Sequence, residues 1–240
     1  MQAEASRIVL DDNPSNPVRK VPGPYETAGM YDLASADWDR ATRRIGADTA
    51  YARLFADLLC PPVRSLGNLP DRPTVLDCGI GTGRFVYALA EVHPALRIHG
   101  IDLSAGMLAQ ARSRLASAEM PARLARGDAR ALPYPDASFD LVLCAHMLEH
   151  LADPWRAVHD MERVLRPGGA VVIVITGNRF ADAVLRRRWR YAPIRPRALC
   201  GWLHSVGFTE VDRHSFGRFG ELAGWLGDAW AGHTKPEVTS

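Results

Sequence analysis

Three glycines alternate directly behind an apolar run and a carboxylate in TVLDCGIGTGRF, residues 74–85. Gly79, Gly81 and Gly83 lack Cβ atoms, so the chain can turn tightly there and a ligand can lie against bare backbone. Asp77 would repel a pyrophosphate and attract a cationic amino-acid group. A dinucleotide site would read GxGxxG, whereas here the position of its third glycine holds Arg84. The segment therefore favours a ligand that carries a cation.

A second polar cluster, HMLEH, follows the apolar run FDLVLCA. If the chain turns helical at Met147, then His146, Glu149 and His150 share one face, since positions three and four apart are neighbours on a helix. Three interpretations stay open. His146 or His150 could act as a general base towards an acceptor hydroxyl. The His, Glu and His set also suits a divalent metal, and in a purely structural role Glu149 would lie near a helix N-terminus while His150 bonds the backbone.

A third feature is the basic segment RRRWRYAPIRPR, residues 186–197. It could recognise a carboxylate, a phosphate or an RNA backbone, with Trp189 or Tyr191 stacking on a planar substrate. The alternative is a solvated helical face. Tyr31, near the N-terminus, could close over a bound ligand, or it could simply pack within a lid.

Short apolar runs and helical patterns alternate between residues 74 and 175, which predicts repeated βαβ units with a parallel sheet. The expected strands are TVLDCG, RIHGIDLS, RLARGDA, FDLVLCAHM and GGAVVIVIT. An α/β, Rossmann-like doubly wound fold follows, and in such folds ligands bind where a parallel strand turns into its helix. The glycine segment and HMLEH both lie at that edge.

Composition limits the function classes. The chain has 240 residues, 47% of them hydrophobic, and a net charge of +2, so it lacks the overall charge of a protein that binds nucleic acid through phosphates. Its four cysteines form no CxxC pair and predict a reducing compartment. No apolar run has the roughly 20 residues of a membrane span, and the N-terminus does not resemble a signal peptide. We expect a cytoplasmic protein; monomer and homodimer both stay open.

The pattern divides the chain into three parts. Residues 1–24 predict a flexible arm, because they are polar and rich in proline and glycine. Residues 25–62 predict a helical lid, since large apolar residues recur near helical spacing until Pro61 and Pro62. Residues 63–240 predict the ligand-binding core, with an insertion at about 177–200 for the substrate site.

DCGIGTG resembles the DxGxGxG signature of the class I S-adenosylmethionine-dependent methyltransferases, and GIDLS, GDARALPYPDASFDLV, CAHMLEHLADP and RVLRPGG follow in the order of that family. The resemblance covers residues 74–176. It implies S-adenosylmethionine as cofactor, S-adenosylhomocysteine as product and a mostly parallel sheet of the seven-stranded type. Asp102 would bind the ribose hydroxyls, and Asp128 with Ala129 would contact the adenine. The full set of expected cofactor-binding residues is Asp77, Gly79, Gly81, Gly83, Asp102, Leu103, Met107, Asp128, Ala129 and Cys144.

HMLEH also resembles EMLEH of the ubiquinone-biosynthesis O-methyltransferases, where the acids and the histidine look like metal ligands. Here His146 replaces the first glutamate, so a divalent metal is possible but not favoured. We expect methyl transfer to a small molecule, at oxygen more than at nitrogen or carbon, because no nucleic-acid module is appended. The alternatives are a non-methylating catalyst or partner protein on the same fold and an RNA methyltransferase that uses residues 186–197.

One departure from the family pattern concerns the C-terminus. The family's sheet usually ends in an antiparallel hairpin, yet the segment GELAGWLGDAW, residues 220–230, has a helix-like pattern. We expect the final strand to be rebuilt or missing.

Overall fold

A computed structural model describes residues 24–44, 46–60, 66, 69–176, 192–216 and 228–234. Its centre is a seven-stranded sheet with the strand order β3-β2-β1-β4-β5-β7-β6. The strands are β1 Thr74–Cys78, β2 Arg97–Asp102, β3 Ala122–Arg126, β4 Phe139–Ala145, β5 Leu165–Ile175, β6 Thr209–Ser215 and β7 Asp228–His233. The helices are α1 Pro24–Arg44, α2 Ala47–Leu59, α3 Arg84–Val92, α4 Ala105–Ser117, α5 Pro154–Val164 and α6 Pro196–Val206.

The sheet is parallel from β3 through β5. Its central strands are apolar on both faces: β1, β4 and β5 bury almost every side chain in two clusters, one on each side of the sheet. Helices on both faces make this the doubly wound arrangement, in which side chains at the carboxyl ends of β1, β2 and β4 converge on one edge. The predicted fold class and all five predicted strands are confirmed.

A glycine in β2 sets the distance between the sheet and the glycine segment. A Cβ atom on Gly100 would lie 2.4 Å from Ile80 Cδ1 and 2.8 Å from Leu124 Cδ2. Ile80 sits between the first two glycines of the segment after β1. The missing side chain at Gly100 therefore allows that segment to pack directly on β2, next to Asp102.

The expectation of a rebuilt or missing final strand is wrong. Residues 228–233 form β7, which pairs antiparallel with β5 on one side and with β6 on the other. Ala229, Trp230 and Ala231 are buried there. Pairing on both edges decides the conformation of this short segment, whatever its local pattern, because strand preference depends strongly on tertiary context. Residues 220–227 lie outside the described ranges.

Two helices, α1 and α2, precede the sheet and occupy most of the range for which the sequence predicts a lid. Gly46 adopts a left-handed conformation with φ of 75° and separates α1 from α2. Helix α2 buries Tyr51, Leu54, Phe55 and Leu58 against the rest of the protein. Nearly all of the predicted arm, residues 1–23, lies outside the described part of the chain. Within that part, no helix is both long enough and apolar enough to cross a membrane.

Candidate functional site

The segment between β1 and α3 is a cradle of bare backbone. Gly79, Gly81 and Gly83 all have positive φ, at 69°, 54° and 76°, a region that side chains with a Cβ rarely enter. The amides of Gly79 and Ile80 both donate to the carbonyl oxygen of Ile101, which holds the turn against β2. The three glycines thus allow a tight turn whose backbone carries no side chains at these three positions, as the sequence predicts for this segment.

We predict that Gly79→Ala is destabilising and weakens ligand binding. The new Cβ would lie 2.5 Å from Met147 Cγ, at a φ that strains alanine. Thermal unfolding should show a loss of about 1–3 kcal/mol. The control is Gly201→Ala in α6, where nothing lies within 4 Å of the new Cβ and alanine adds up to about 1 kcal/mol of helix stability. Equal unfolding temperatures for the two variants would contradict this role of Gly79.

Asp77 holds an unsatisfied carboxylate beneath the cradle. The residue is 1% exposed, and its Oδ2 atom has no hydrogen-bond partner among the described residues. Burial raises the pKa of Asp77 to about 8, although the amide of Val86 donates to the side chain. A buried acid without a partner is costly. A ligand ammonium group at this position would relieve that cost.

Asp102 lies at the end of β2 and is bound by the turns around it. Its Oδ2 accepts from the amide of Gly81 at 2.9 Å, and its Oδ1 accepts from the amide of Ser104 at 2.8 Å. Burial raises the pKa of this carboxyl group. Asp102 therefore orients the glycine segment, and each oxygen keeps a lone pair that a ligand hydroxyl can use.

The remaining expected cofactor residues differ in burial: two are partly exposed and three are buried. Asp128 forms an ion pair of 2.6 Å with Arg130 and accepts from the Arg130 amide, so its side chain also organises the turn after β3. Leu103 is half-buried, and its carbonyl oxygen accepts from the Nε of Arg126. Three others have buried side chains, with exposed fractions of 3%, 6% and 0%: Met107, Ala129 and Cys144. Cys144 as a whole has no exposed surface in this structure.

The HMLEH segment forms a short 3-10 turn, Leu148–His150, after β4. His146 has a positive φ of 54°, a strained conformation that often occurs at functional sites. Its Nε2 lies 3.1 Å from Tyr51 Oη on α2, and its Nδ1 lies 3.1 Å from Thr176 Oγ1. Burial lowers the pKa of His146 to about 4, so its ring is neutral at pH 7.

His150 points towards the other lid helix. Its Nε2 lies 2.8 Å from Tyr31 Oη on α1, and the two rings meet edge to face. Burial lowers the pKa of His150 to about 4. Burial and the charge of Glu149 raise the pKa of Tyr31, so the phenol keeps its proton. A lid hydroxyl and a neutral imidazole are therefore joined at the sheet edge.

Glu149 ties this segment to the end of β5. It is 1% exposed, its Oε1 accepts from the amide of Thr176 at 2.7 Å, and burial raises its pKa. Its Oε1 lies 4.0 Å from His146 Nδ1. Among the described residues, no three His, Cys, Asp or Glu side chains converge as metal ligands would. His146 and Glu149 thus both bond Thr176 after β5, whereas His150 bonds Tyr31 on α1.

Several residues of the site are not apparent from sequence. Tyr51 and Thr176 hold His146, yet Tyr51 reads as an apolar lid position and Thr176 as the end of a strand. On α1, Asp32 accepts from Ser104 Oγ at 2.5 Å and from the Gly106 amide at 2.8 Å. The neighbouring Tyr31, for which the sequence left closure over a ligand and lid packing open, contacts His150. The predicted substrate residues Trp189 and Tyr191 lie outside the described ranges.

Comparison with known proteins agrees with this geometry. Residues 76–173 match the family described as a methyltransferase domain. A demethylmenaquinone methyltransferase of Deinococcus radiodurans is 38% identical over 130 residues, which are 54% of this chain and 51% of that protein. A 27-O-demethylrifamycin SV methyltransferase of Amycolatopsis mediterranei is 36% identical over 149 residues, 60% of this chain and 48% of the relative. The chain thus spans about half the length of these relatives.

Solved structures match the fold over most of the chain. A Thermotoga maritima protein described as a possible histamine N-methyltransferase has a TM-score of 0.61 at 19% identity, covering 86% of this chain and 99% of that one. The [4+2]-cyclase SpnF has a TM-score of 0.65 at 20% identity, covering 90% and 98%. The match of residues 76–173 to a methyltransferase domain, together with the sheet topology and the glycine signature, makes this chain similar to the class I S-adenosylmethionine-dependent methyltransferases. The two relatives described above are named for methyl transfer to demethylmenaquinone and to 27-O-demethylrifamycin SV.

The residues present suit S-adenosylmethionine. The buried, unpartnered Oδ2 of Asp77 offers an acceptor for an ammonium group. The three glycines present backbone without side chains at the turn, and the carboxylate of Asp102 can accept from hydroxyl groups. Asp77 and the glycines would therefore hold the amino-acid end, and Asp102 the ribose.

Proposed function

We propose that this protein transfers the methyl group of S-adenosylmethionine to a hydroxyl oxygen of a small molecule. The observation that carries the proposal is the Tyr31–His150 hydrogen bond, because His150 follows β4 at the edge where β1 and β2 also end and its neutral ring suits a base. The two relatives, a demethylmenaquinone and a 27-O-demethylrifamycin SV methyltransferase, support a small-molecule acceptor.

Bound S-adenosylmethionine supplies a methyl group on a sulfonium centre. The protein's task is to align the acceptor with that methyl group and to take up the hydroxyl proton, and alignment alone can lower the barrier by roughly 7–11 kcal/mol. His150 is uncharged at pH 7, so its Nε2 lone pair can receive the proton, with Tyr31 as the neighbouring hydroxyl. The positive charge of the sulfonium is thereby replaced by an imidazolium charge.

His146 is the weaker candidate for the base. Its two ring nitrogens are engaged by Tyr51 and Thr176, and neither partner lies on α1. We assign His146 the task of fixing α2 against the end of β5. The Nε2 atom of His150 bonds Tyr31 on α1, and we propose that the acceptor hydroxyl takes the place of that phenol.

The test is calorimetric titration with S-adenosylmethionine and S-adenosylhomocysteine, on wild type and on Asp102→Asn. We expect micromolar binding in wild type and at least tenfold weaker binding in the variant, since a charge-assisted hydrogen bond contributes about 1.5–3 kcal/mol. Repeating the titration with a chelator tests for a metal. Absence of binding to both ligands in wild type would overturn the proposal.

Product analysis separates methyl transfer from other chemistry on this fold. With a panel of phenols and naphthohydroquinones, a methyltransferase forms S-adenosylhomocysteine and a product heavier by one methylene. A non-methylating relative would convert its substrate without consuming the cofactor. That control is necessary because the fold is shared with a protein named as a cyclase, and fold does not fix chemistry.

A further inference from the structure

Arg84 is a buried cation that follows the glycine segment directly. It is 5% exposed and opens α3. Its guanidinium donates to Asp48 in the first turn of α2, and to Asp39 on α1 through both the carboxylate, at 2.7 Å, and the main-chain carbonyl, at 3.1 Å. One side chain from the cofactor segment thus bonds both lid helices.

Arg114 on α4 reaches the same carboxylate from the other side. Its Nη2 donates to Asp39 Oδ1, and its Nε donates to the carbonyl oxygen of Thr82 at 2.9 Å. Thr82 lies between the second and third glycines. Asp39 therefore joins two arginines that both contact the segment over which the cofactor would bind.

The charges at this point are balanced by close partners. Burial alone would raise the pKa of Asp39, but the charges of Arg84 and Arg114 outweigh it and lower that pKa. The side chains of Arg84, Asp39 and Arg114 are only 6%, 18% and 19% exposed. Ion pairs at this depth are screened less by solvent than surface pairs, so they can hold a helix in place.

We propose that Asp39, Arg84 and Arg114 form an ionic clamp that holds α1 against the glycine segment, which makes Asp39 a positioning residue for Tyr31. Tyr31 lies eight positions before Asp39 on the same helix, or about two turns, so both project from neighbouring parts of one face. The clamp sets how closely α1 packs against the glycine segment. Tyr31 reaches His150 only when α1 is packed at that distance. The role of Tyr31 at the acceptor rests on the proposed function; the clamp itself does not.

Asp37 provides a matched control on the same helix. Its ion pair with Arg40 lies wholly on the surface, with side chains 62% and 72% exposed. Replacing Asp37 with asparagine removes a carboxylate two residues from Asp39 without touching the clamp. Any effect that depends only on the charge or helicity of α1 would be common to both variants.

The experiment compares wild type, Asp39→Asn and Asp37→Asn as full chains. Hydrogen exchange of peptides from residues 24–44 should be at least tenfold faster in Asp39→Asn and within twofold of wild type in Asp37→Asn, while peptides from β5 stay protected in both. Imidazole NMR signals of His150, assigned with His150→Gln, should move in Asp39→Asn to the positions they take in Tyr31→Phe.

The possible outcomes decide separately on the clamp and on the proposed function. If α1 in Asp39→Asn exchanges its amide hydrogens at the wild-type rate and the His150 signals do not move, the clamp is overturned. Faster exchange with unmoved His150 signals would overturn the positioning of Tyr31. If both effects occur but wild type binds no S-adenosylhomocysteine by calorimetry, the clamp stands and the proposed function fails.

Discussion

Between pH 5.5 and 7, the affinity of wild-type protein for S-adenosylmethionine is expected to rise about tenfold per pH unit, and this rise should disappear in Asp77→Asn. The pKa of about 8 means that roughly nine in ten Asp77 carboxyls carry a proton at pH 7 in the free protein. A bound ammonium group favours the ionised form, so the proton must leave when the ligand binds. An α-amino group titrates near 7.7–8.0 and stays charged through most of this window.

Calorimetry at pH 7 in two buffers of different ionisation enthalpy counts that proton directly. We expect wild type to release close to one proton per ligand more than Asp77→Asn does. The affinity of the variant at pH 7 should be about 10- to 100-fold lower, because it lacks a charge-assisted acceptor. Asp71→Asn, in the exposed loop before β1, is the control and should behave as wild type. Equal proton release in wild type and Asp77→Asn would exclude Asp77 as the ammonium partner.

The same carboxyl group makes a prediction about stability. Its pKa in the folded protein exceeds its unfolded value of 3.8, so the folded state binds more protons between pH 4 and 8. The stability that this group contributes to the ligand-free protein is therefore lost as the pH rises from 4 to 8. Asp77→Asn should unfold at a higher temperature than wild type at pH 8, although it binds ligand worse.

The local part of the site could be predicted because neighbours in sequence are neighbours in space there. Asp77 and the alternate glycines occupy one strand-to-helix turn, and their types define both its backbone and its charge. Asp102 follows a second strand whose parallel pairing brings its end to the same edge. A motif of this kind encodes its own geometry.

The lid contacts could not be predicted, since they join residues that are distant in sequence. His146 meets Tyr51 from α2 and Thr176 from β5, and no spacing rule relates those positions. Arg84 is visible in the sequence as a departure from the dinucleotide pattern, but its carboxylate partners on α1 and α2 are not. The presence of strand β7 could not be predicted for the same reason, because its conformation depends on pairing with β5 and β6.

The lid and the cofactor residues are linked physically. Helix α1 bonds the start of α4 through Asp32, the glycine segment through the arginines that bind Asp39, and the segment after β4 through Tyr31. Helix α1 thus contacts each of the elements that are expected to hold the two ends of the cofactor and the acceptor. Under the proposed function, the placement of α1 would decide whether the acceptor hydroxyl is enclosed beside His150.

Loss of the imidazole is the second change with a large expected effect. His150→Gln should lower the rate of methyl transfer about 10²- to 10⁴-fold, the range that a general base contributes, while the affinity for S-adenosylhomocysteine stays within threefold of wild type. Tyr31→Phe keeps the ring and should lower the rate less, by about tenfold. The measurement is product formation by mass spectrometry with an acceptor from the panel, at saturating cofactor.

A readout that needs no acceptor accompanies this test. His150 has a pKa of about 4 in the folded chain, below its unfolded value of 6.5, so the unfolded state binds more protons between these values. Stability from this group is complete above pH 6.5 and is lost as pH falls towards 4. His150→Gln should therefore show a shallower loss of unfolding temperature than wild type between pH 6.5 and 4. If His150→Gln keeps the wild-type rate of methyl transfer but shows the shallower loss of unfolding temperature, then His150 is a buried neutral histidine and not the general base.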